Sequence, residues 1–174
     1  AIGLLPDTLL TPLNLGLMLM ALRWTRKDHF SIADWVITGL LLGLAGLSKY
    51  TAAFTAFALL FVFLASPKKA WITKAGFWIA AVIALIVISP VLYWNWVNDW
   101  ISFKYQIAHG SGGIWAWRRV AAFAGIQIVC FGPLLLLGTY LFLKNCLHSQ
   151  KLLLIALLGF FAIPFIIFAA LSGG

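Results

Sequence analysis

The chain has 174 residues, of which 64% are hydrophobic and 9% charged, and its mean hydropathy is +1.05. This composition excludes an ordinary soluble globular domain and predicts an all-α, polytopic integral membrane bundle with about six transmembrane spans. Lysine and arginine total 12 against 4 aspartates and no glutamate, which gives a net charge of +8. Most basic residues lie in short connections between apolar blocks, so they report membrane orientation rather than a nucleic-acid partner.

The two ends of the sequence indicate a partial transmembrane domain over residues 1–174. The chain opens at Ala1 without an initiator methionine or a signal peptide, and it closes on Ser-Gly-Gly where a helix should end. We therefore expect a piece of a longer protein, with functional residues outside it. Cys130 and Cys146 are too far apart along one helix to pair, and we interpret them as packing residues.

The first apolar block covers residues 8–22 and ends at the basic segment 23–27. Pro12 fits the first turn of a helix that Thr11 caps. Alternatively, Asp7 caps a longer helix that kinks at Pro12.

Two further apolar blocks, 34–47 and 51–64, are separated by Ser-Lys-Tyr at 48–50. Each block is shorter than the ~20 residues that cross a bilayer upright, so they form either one long helix or two short spans. Two spans fit the charges better, because the basic segments on either side then share one membrane face. Glycines at 39, 43 and 46 line one face of the first of these helices and permit close packing against another helix.

Three more spans complete the predicted bundle, at residues 75–92, 120–143 and 152–171. Pro90 lies near the predicted exit of the first of these spans, and Gly132-Pro133 and Pro164 are predicted to kink the other two. The basic connections 23–33, 66–74 and 144–151 would then lie on the inner side. Asp7, Lys49, a long polar loop over 93–119 and the C-terminus would lie on the outer side.

The polar stretch 89–110, continuing to Arg118 and Arg119, is the long interruption in an otherwise apolar sequence. It holds tryptophan and tyrosine together with Asn, Asp, Lys, Gln and His, so it is a candidate site rather than a plain connector. Tryptophans at 94, 96 and 100 fit an interfacial belt, and they fit stacking on sugar rings equally well.

Lys49 lies between two apolar blocks, where a lysine is costly unless it reaches a membrane face or a partner. It either extends to lipid headgroups or binds an anionic headgroup such as a phosphate. Asp7 is either a helix cap or a carboxylate facing a site, where it would bind a sugar hydroxyl or a divalent metal ion. The sequence implies no other cofactor.

Lys104, His109, Arg118 and Arg119 all lie on the predicted outer face, against the positive-inside trend. Each has a plain interpretation as a loop or headgroup residue, and a bound phosphate would explain them together. The sequence contains no Walker loop, dinucleotide glycine fingerprint, His-Glu-x-x-His or Cys-x-x-Cys motif, which argues against soluble nucleotides.

Three motifs resemble bacterial GT-C membrane glycosyltransferases, the group of dolichyl-phosphate-mannose protein mannosyltransferases and aminoarabinose transferases. Pro-Asp-Thr-Leu-Leu at 6–10 is similar to their second acidic outer-loop motif. The glycine-rich segment 43–52, with Leu-Ser-Lys-Tyr, and the segment 89–109, with Pro-x-x-x-Trp-Asn, Trp-x-Ser-Phe and His, resemble two further motifs of this group.

The resemblance implies an inverting transfer of a sugar from a polyprenyl phosphate carrier to an acceptor hydroxyl on a lipid, glycan or protein. It implies a multi-pass protein of the bacterial inner membrane whose active face is periplasmic. The usual catalytic base would lie in a first outer loop upstream of this sequence. By position, Asp7 would be a second acidic catalytic residue near the acceptor or a metal.

The resemblance, which covers residues 6–109, places Lys49 at the donor phosphate and His109 in the donor-side loop, and the cations on the predicted outer face add Arg118 and Arg119. The predicted donor-phosphate ligands are Lys49, His109, Arg118 and Arg119. The predicted substrate contacts are Tyr50, Trp94, Asn95, Trp100 and Gln106. Two other functions remain open: a transporter or lipid-flippase subunit, which predicts ionisable residues along a pathway inside the spans, and a non-catalytic membrane scaffold.

Overall fold

A computed structural model describes residues 6–27, 29–65, 72–110, 115–149 and 151–173. Its described part is helical and contains no strand, which confirms the all-α prediction. The helices are α1 (Pro6–Arg26), α2 (Ile32–Ser48), α3 (Ala52–Ala65), α4 (Ala75–Val97), α5 (Ile101–Gly110), α6 (Trp117–Ser149) and α7 (Lys151–Leu171).

Among the described residues, α4 is the helix that is long and apolar enough to cross a membrane. The most apolar stretch of 18 residues in α4 has a mean hydropathy of 2.5, and only 6% of that stretch is buried inside the protein. The helices α2 and α3 and the segment Leu158–Leu171 are apolar but shorter. The structure thus supplies one candidate span, and the prediction of about six spans stays a prediction.

Helix α1 begins at Pro6 and includes Pro12, so the prediction that Thr11 caps this helix is wrong. Asp7 lies in the first turn, where its charge suits the positive end of the helix dipole. The Thr11 hydroxyl instead donates to the Asp7 carbonyl at 2.9 Å. Pro12 is the seventh residue of α1, so it removes the backbone hydrogen bond to the Thr8 carbonyl, and the helix continues through it to Arg26.

Residues 49–51 separate α2 from α3, so the structure has two helices here, as the charge pattern favoured. Lys49 has extended backbone angles, φ −161° and ψ 141°, and its N–H donates to the Ala45 carbonyl. The next helix starts at Ala52, whose N–H donates to the Lys49 carbonyl at 3.0 Å. The side chain of Lys49 therefore leaves the axis of α2 at its end.

The glycine face of α2 packs against α4, as predicted. A Cβ atom at Gly39 would lie 2.6 Å from the Ala80 carbonyl oxygen, and one at Gly43 would lie 2.6 Å from Val87 Cβ. These separations are too short for any side chain, so glycine permits the two backbones to approach.

Helix α4 continues to Val97, five residues past its predicted end, so much of the predicted loop over 93–119 is helical. Pro90 lies inside the helix and cannot donate to the Ile86 carbonyl, but the Ser89 hydroxyl donates to that carbonyl at 2.7 Å. This local replacement keeps the helix intact. Residues 111–114 of the predicted loop lie outside the described residues.

Helix α6 contains the predicted kink, because Gly132 has φ 73° and ψ 159°. The predicted loop over 144–151 is wrong, since α6 runs to Ser149 and α7 starts at Lys151. Just before α6, the Ala116 N–H donates to the Gly173 carbonyl at 2.7 Å, which joins the start of α6 to the end of α7. Helix α7 packs in turn against α3 and α1.

Successive helices from α1 to α4 run antiparallel, so the bundle has two distinct ends. We call the first the aromatic end, where rings from the end of α1, the start of α2, the end of α3 and the start of α4 interlock. Its members are Trp24, Phe30, Trp35, Phe63 and Phe77. We call the second the ion-pair end, where the first turn of α1 meets the α2–α3 junction and the last turns of α4.

Candidate functional site

Asp7 and Lys49 form an ion pair at the ion-pair end. The Lys49 ammonium lies 2.7 Å from Asp7 Oδ1 and 3.0 Å from Oδ2, so it bonds both carboxylate oxygens. The side chains are 41% exposed for Lys49 and 61% exposed for Asp7. The extended backbone at Lys49 directs its side chain to the neighbouring first turn of α1. The Lys49 ammonium is therefore a partly exposed cation that is held in place by the Asp7 carboxylate.

Tyr50, the next residue along the chain, is linked to α4. Asn95 is fully buried, and its Nδ2 donates to the Val91 carbonyl at 2.9 Å and to the Tyr50 hydroxyl at 3.4 Å. Its Oδ1 is buried without a hydrogen-bond partner. The Tyr50 ring packs against Phe103 of α5 with centroids 4.8 Å apart. Tyr50 is thus fixed from two sides, by an amide and by a ring.

The corner between α4 and α5 places α5 over Tyr50. Asp99 and Trp100 have left-handed backbone angles, with φ values of 52° and 58°. The Trp100 N–H donates to the Asn95 carbonyl at 2.7 Å, the long backbone bond of a Schellman helix end. The chain then reverses, and the Trp100 ring packs on Phe103 at 5.6 Å.

Two cavities meet at Tyr50. The first is open, measures about 310 Å³, and is lined by Tyr50, Ile101, Ser102, Tyr105 and Gln106. The second, of about 180 Å³, is an apolar crevice between α2, α3 and α4. Its lining consists of Tyr50 and Phe103 with Leu42, Gly43, Gly46, Ala52, Ala53, Ala56, Ala84, Leu85 and Ile88. The open cavity is therefore the more polar of the two, it adjoins the apolar crevice, and Tyr50 lines both.

The structure brings together several residues that the sequence singled out. Asp7 and Lys49 pair, Tyr50 and Asn95 are hydrogen-bonded, and Gln106 lines the open cavity beside Tyr50. These residues come from three helices, α1, α4 and α5, and from the α2–α3 junction. The site is thus assembled by the fold rather than by one contiguous segment.

Other predicted residues lie apart from this group. Trp94 is 51% exposed on α4, and Trp100 packs on Phe103 instead of lining the cavity. Arg118 and Arg119 are exposed in the first turn of α6. The side chain of His109 lies outside the described part of the structure, so its predicted role remains a prediction.

Sequence reasoning did not assign Ser102, Phe103 and Tyr105 to the site. The signal for these residues is their helical spacing, which the prediction of a loop over 93–119 does not take into account. Positions 101, 102, 105 and 106 share one face of a helix, and that face lines the cavity. Within the described residues, no three His, Cys, Asp or Glu side chains lie close enough to hold a metal ion.

A family model for dolichyl-phosphate-mannose-protein mannosyltransferase matches residues 2–94. The match covers more than half of the sequence, and the chain belongs to this family. Membership implies a membrane-associated glycosyltransferase of the GT-C type. Comparisons with curated proteins and with solved structures found no match. The family match includes Asp7, Lys49 and Tyr50, and it ends one residue before Asn95.

Proposed function

We propose that the protein transfers a sugar from a polyprenyl-phosphate carrier to an acceptor hydroxyl, with inversion, at the ion-pair end of the bundle. The acceptor class is a lipid, glycan or protein that carries a free hydroxyl. The bundle would cross the bacterial inner membrane several times, with the ion-pair end on the outer face. The aromatic end, which carries Arg23, Arg26 and Lys27, would then lie on the inner face, as the positive-inside rule favours.

The observation that carries this proposal is the Asp7–Lys49 ion pair, which joins two segments inside the family match. A lysine between two apolar helices is costly unless it reaches a membrane face or a partner, and Asp7 is a partner for Lys49. The neighbouring cavities fit an amphipathic donor. The apolar crevice would receive isoprenoid carbons, and the open cavity would receive the phosphate and the sugar.

The chemistry explains why a lysine is needed. The bond between the sugar anomeric carbon and the carrier phosphate oxygen breaks as the acceptor oxygen bonds the opposite face of that carbon. The carrier phosphate changes from a diester to a monoester and gains negative charge. A fixed ammonium near that oxygen stabilises this charge as it develops, which lowers the barrier. The acceptor proton must pass to a base.

Asp7 has two candidate roles at this site. Through two hydrogen bonds it holds the Lys49 ammonium in place, ready for the donor phosphate. Because its side chain is 61% exposed, an acceptor hydroxyl can also reach it. His109, Arg118 and Arg119 are proposed as further cations for the donor. Gln106 is proposed as a sugar contact in the open cavity, and Trp94 and Trp100 are proposed as exposed aromatic surfaces for sugar outside it.

The test compares Lys49→Met with Lys144→Met in the full-length protein in nanodiscs. Lys144 is an exposed lysine on α6, so its replacement is a matched loss of charge. Transfer of radiolabelled sugar from a polyprenyl-phosphate sugar to membrane acceptors is measured. We expect Lys49→Met to lower kcat/KM by about 100-fold or more, and Lys144→Met to match the wild type. Equal turnover in both variants would refute the donor role of Lys49.

A further inference from the structure

We propose that Asn95 is a positioning residue that fixes the Tyr50 hydroxyl, so that its hydrogen is donated into the open cavity to an oxygen of the bound donor headgroup. This inference rests on the proposed function for the identity of the donor. Asn95 itself does not touch the donor, because none of its side chain is exposed. Tyr50 would make the contact.

The orientation of the Asn95 amide is determined by its neighbours. The Val91 carbonyl can only accept a hydrogen bond, and it lies 2.9 Å from Nδ2. The nitrogen must therefore face Val91, and the same nitrogen lies 3.4 Å from the Tyr50 hydroxyl oxygen. Asn95 consequently donates to Tyr50, and the hydroxyl oxygen is the acceptor.

This direction leaves the hydroxyl hydrogen of Tyr50 available. A tyrosine hydroxyl can accept from one group while it donates to another. No described side chain or carbonyl accepts the hydrogen of Tyr50. The ring is held by Phe103, so rotation about the C–O bond is the freedom that remains to the hydroxyl. With the amide on one side of the oxygen, the hydrogen turns away from it, and Tyr50 lines the open cavity.

The energetic cost of burying the Asn95 amide supports a positioning role for this residue. The residue lies near the end of α4, the candidate span of the described residues, is fully buried, and leaves its Oδ1 without a partner. Leucine has a similar size and would avoid the unpaired oxygen. The Val91 carbonyl also belongs to a continuous helix and does not depend on this side chain. The contact that Asn95 alone supplies is the one to Tyr50.

The experiment is a double-mutant cycle on Tyr50→Phe and Asn95→Leu in the full-length protein in nanodiscs, with undecaprenyl phosphate as the titrated ligand. Tyr50→Phe removes the hydroxyl and keeps the ring contact with Phe103. We expect each single variant to weaken binding about tenfold, the loss typical of one hydrogen bond. The double variant should bind no more weakly than Tyr50→Phe. The control is Asn98→Leu, which removes an exposed amide that donates to the Trp94 carbonyl, and it should bind like the wild type.

Additive losses would show that Asn95 acts independently of Tyr50 and would overturn the proposal. Unchanged binding by Tyr50→Phe would overturn it too. A second readout separates this inference from the proposed function: 3-fluorotyrosine incorporated at position 50 and observed by ¹⁹F NMR without ligand. Asn95→Leu should shift that signal and Asn98→Leu should not, and an unmoved signal contradicts the positioning role. If the wild type binds no undecaprenyl phosphate, the proposed function and the donor contact both fail, and the fluorine signal then decides on Asn95 alone.

Discussion

The aromatic end and the ion-pair end differ in the burial of their charged side chains and in the partners that these side chains have. At the aromatic end, the side chain of Asp34 is 8% exposed and lies 3.3 Å from Arg23 and 3.7 Å from Lys27. It also closes a capping box with Ser31, three residues away. At the ion-pair end, Asp7 and Lys49 remain open to solvent and lie 42 positions apart in the chain.

We interpret the difference as one between a structural role and the proposed functional role. A buried carboxylate with local partners and a shell of packed rings stabilises helix starts and helix contacts. An exposed ion pair contributes little to stability, usually less than about 1 kcal/mol. The ion-pair end nevertheless brings together a cation, a buried amide and an open cavity. We therefore expect substitutions at the aromatic end to change stability, and substitutions at the ion-pair end to change transfer.

The largest effect is expected at the aromatic end from Trp35→Ala. Trp35 is 5% exposed and contacts the rings of Trp24, Phe30, Phe63 and Phe77. The free energy of unfolding, measured by SDS titration in mixed micelles, should fall by about 3–5 kcal/mol. Transfer per folded molecule should not change. The control Trp78→Ala removes a tryptophan that is 58% exposed and should cost little; equal costs would contradict the aromatic end as the stabilising one.

Asp7→Asn should give the opposite pattern at the ion-pair end. Loss of a charged hydrogen bond to the Lys49 ammonium should lower transfer about 10- to 100-fold, with a change in unfolding free energy below about 1 kcal/mol. Asp99→Asn is the matched control, because it makes the same chemical change at the same end. The result is measured as kcat/KM for a polyprenyl-phosphate sugar. A large loss of stability with normal transfer by the folded fraction would reverse the proposed division.

Asp34→Ala should cost about 1–2 kcal/mol of stability through the lost capping box. Ser31→Ala should cost a similar amount, because the Asp34 carboxylate accepts from the backbone N–H and the hydroxyl of Ser31. Thermal unfolding of both single variants and the double variant measures the coupling. The double variant should lose less than the two single losses added together, and simple additivity would contradict a shared cap.

The smallest effect is expected at the α4–α5 corner. Asp99 has a φ of 52°, which glycine adopts without steric cost. Asp99→Gly should therefore raise the free energy of unfolding by about 0.5–1 kcal/mol. Asn98 has a φ of −107° and donates a side-chain hydrogen bond, so Asn98→Gly should not stabilise the protein. The two melting temperatures, compared side by side, check the expectation.

The sequence was sufficient where one local rule determined the structure. The helix class, the break after Ser48, the glycine face of α2 and the kink at Gly132 follow from hydropathy, charge and backbone chemistry. The family resemblance is confirmed as well.

Two kinds of feature could not be predicted from the sequence: local side-chain compensation within a helix, and contacts between residues far apart in the chain. Pro90 suggests a helix exit, but the Ser89 hydroxyl replaces the missing donor and α4 continues. Polar and aromatic residues at 93–110 suggest a loop, yet none of them prevents a helix, and most of this segment is helical. The Asp7–Lys49 bond and the burial of Asn95 depend on how four helices meet, which no local pattern encodes.

The link between the two final helices affects how an acceptor could enter. Trp115 Nε1 donates to the Ala170 carbonyl at 3.1 Å, and the Ala116 N–H donates to Gly173. Because α7 also lies along α3, which starts just after Tyr50, Arg118 and Arg119 are carried by a unit anchored near the site. A movement of the start of α6 would therefore move the end of α7 with it. We therefore expect an acceptor that approaches Arg118 and Arg119 to meet α6 and α7 as one unit, held together through the Ala170 and Gly173 carbonyls.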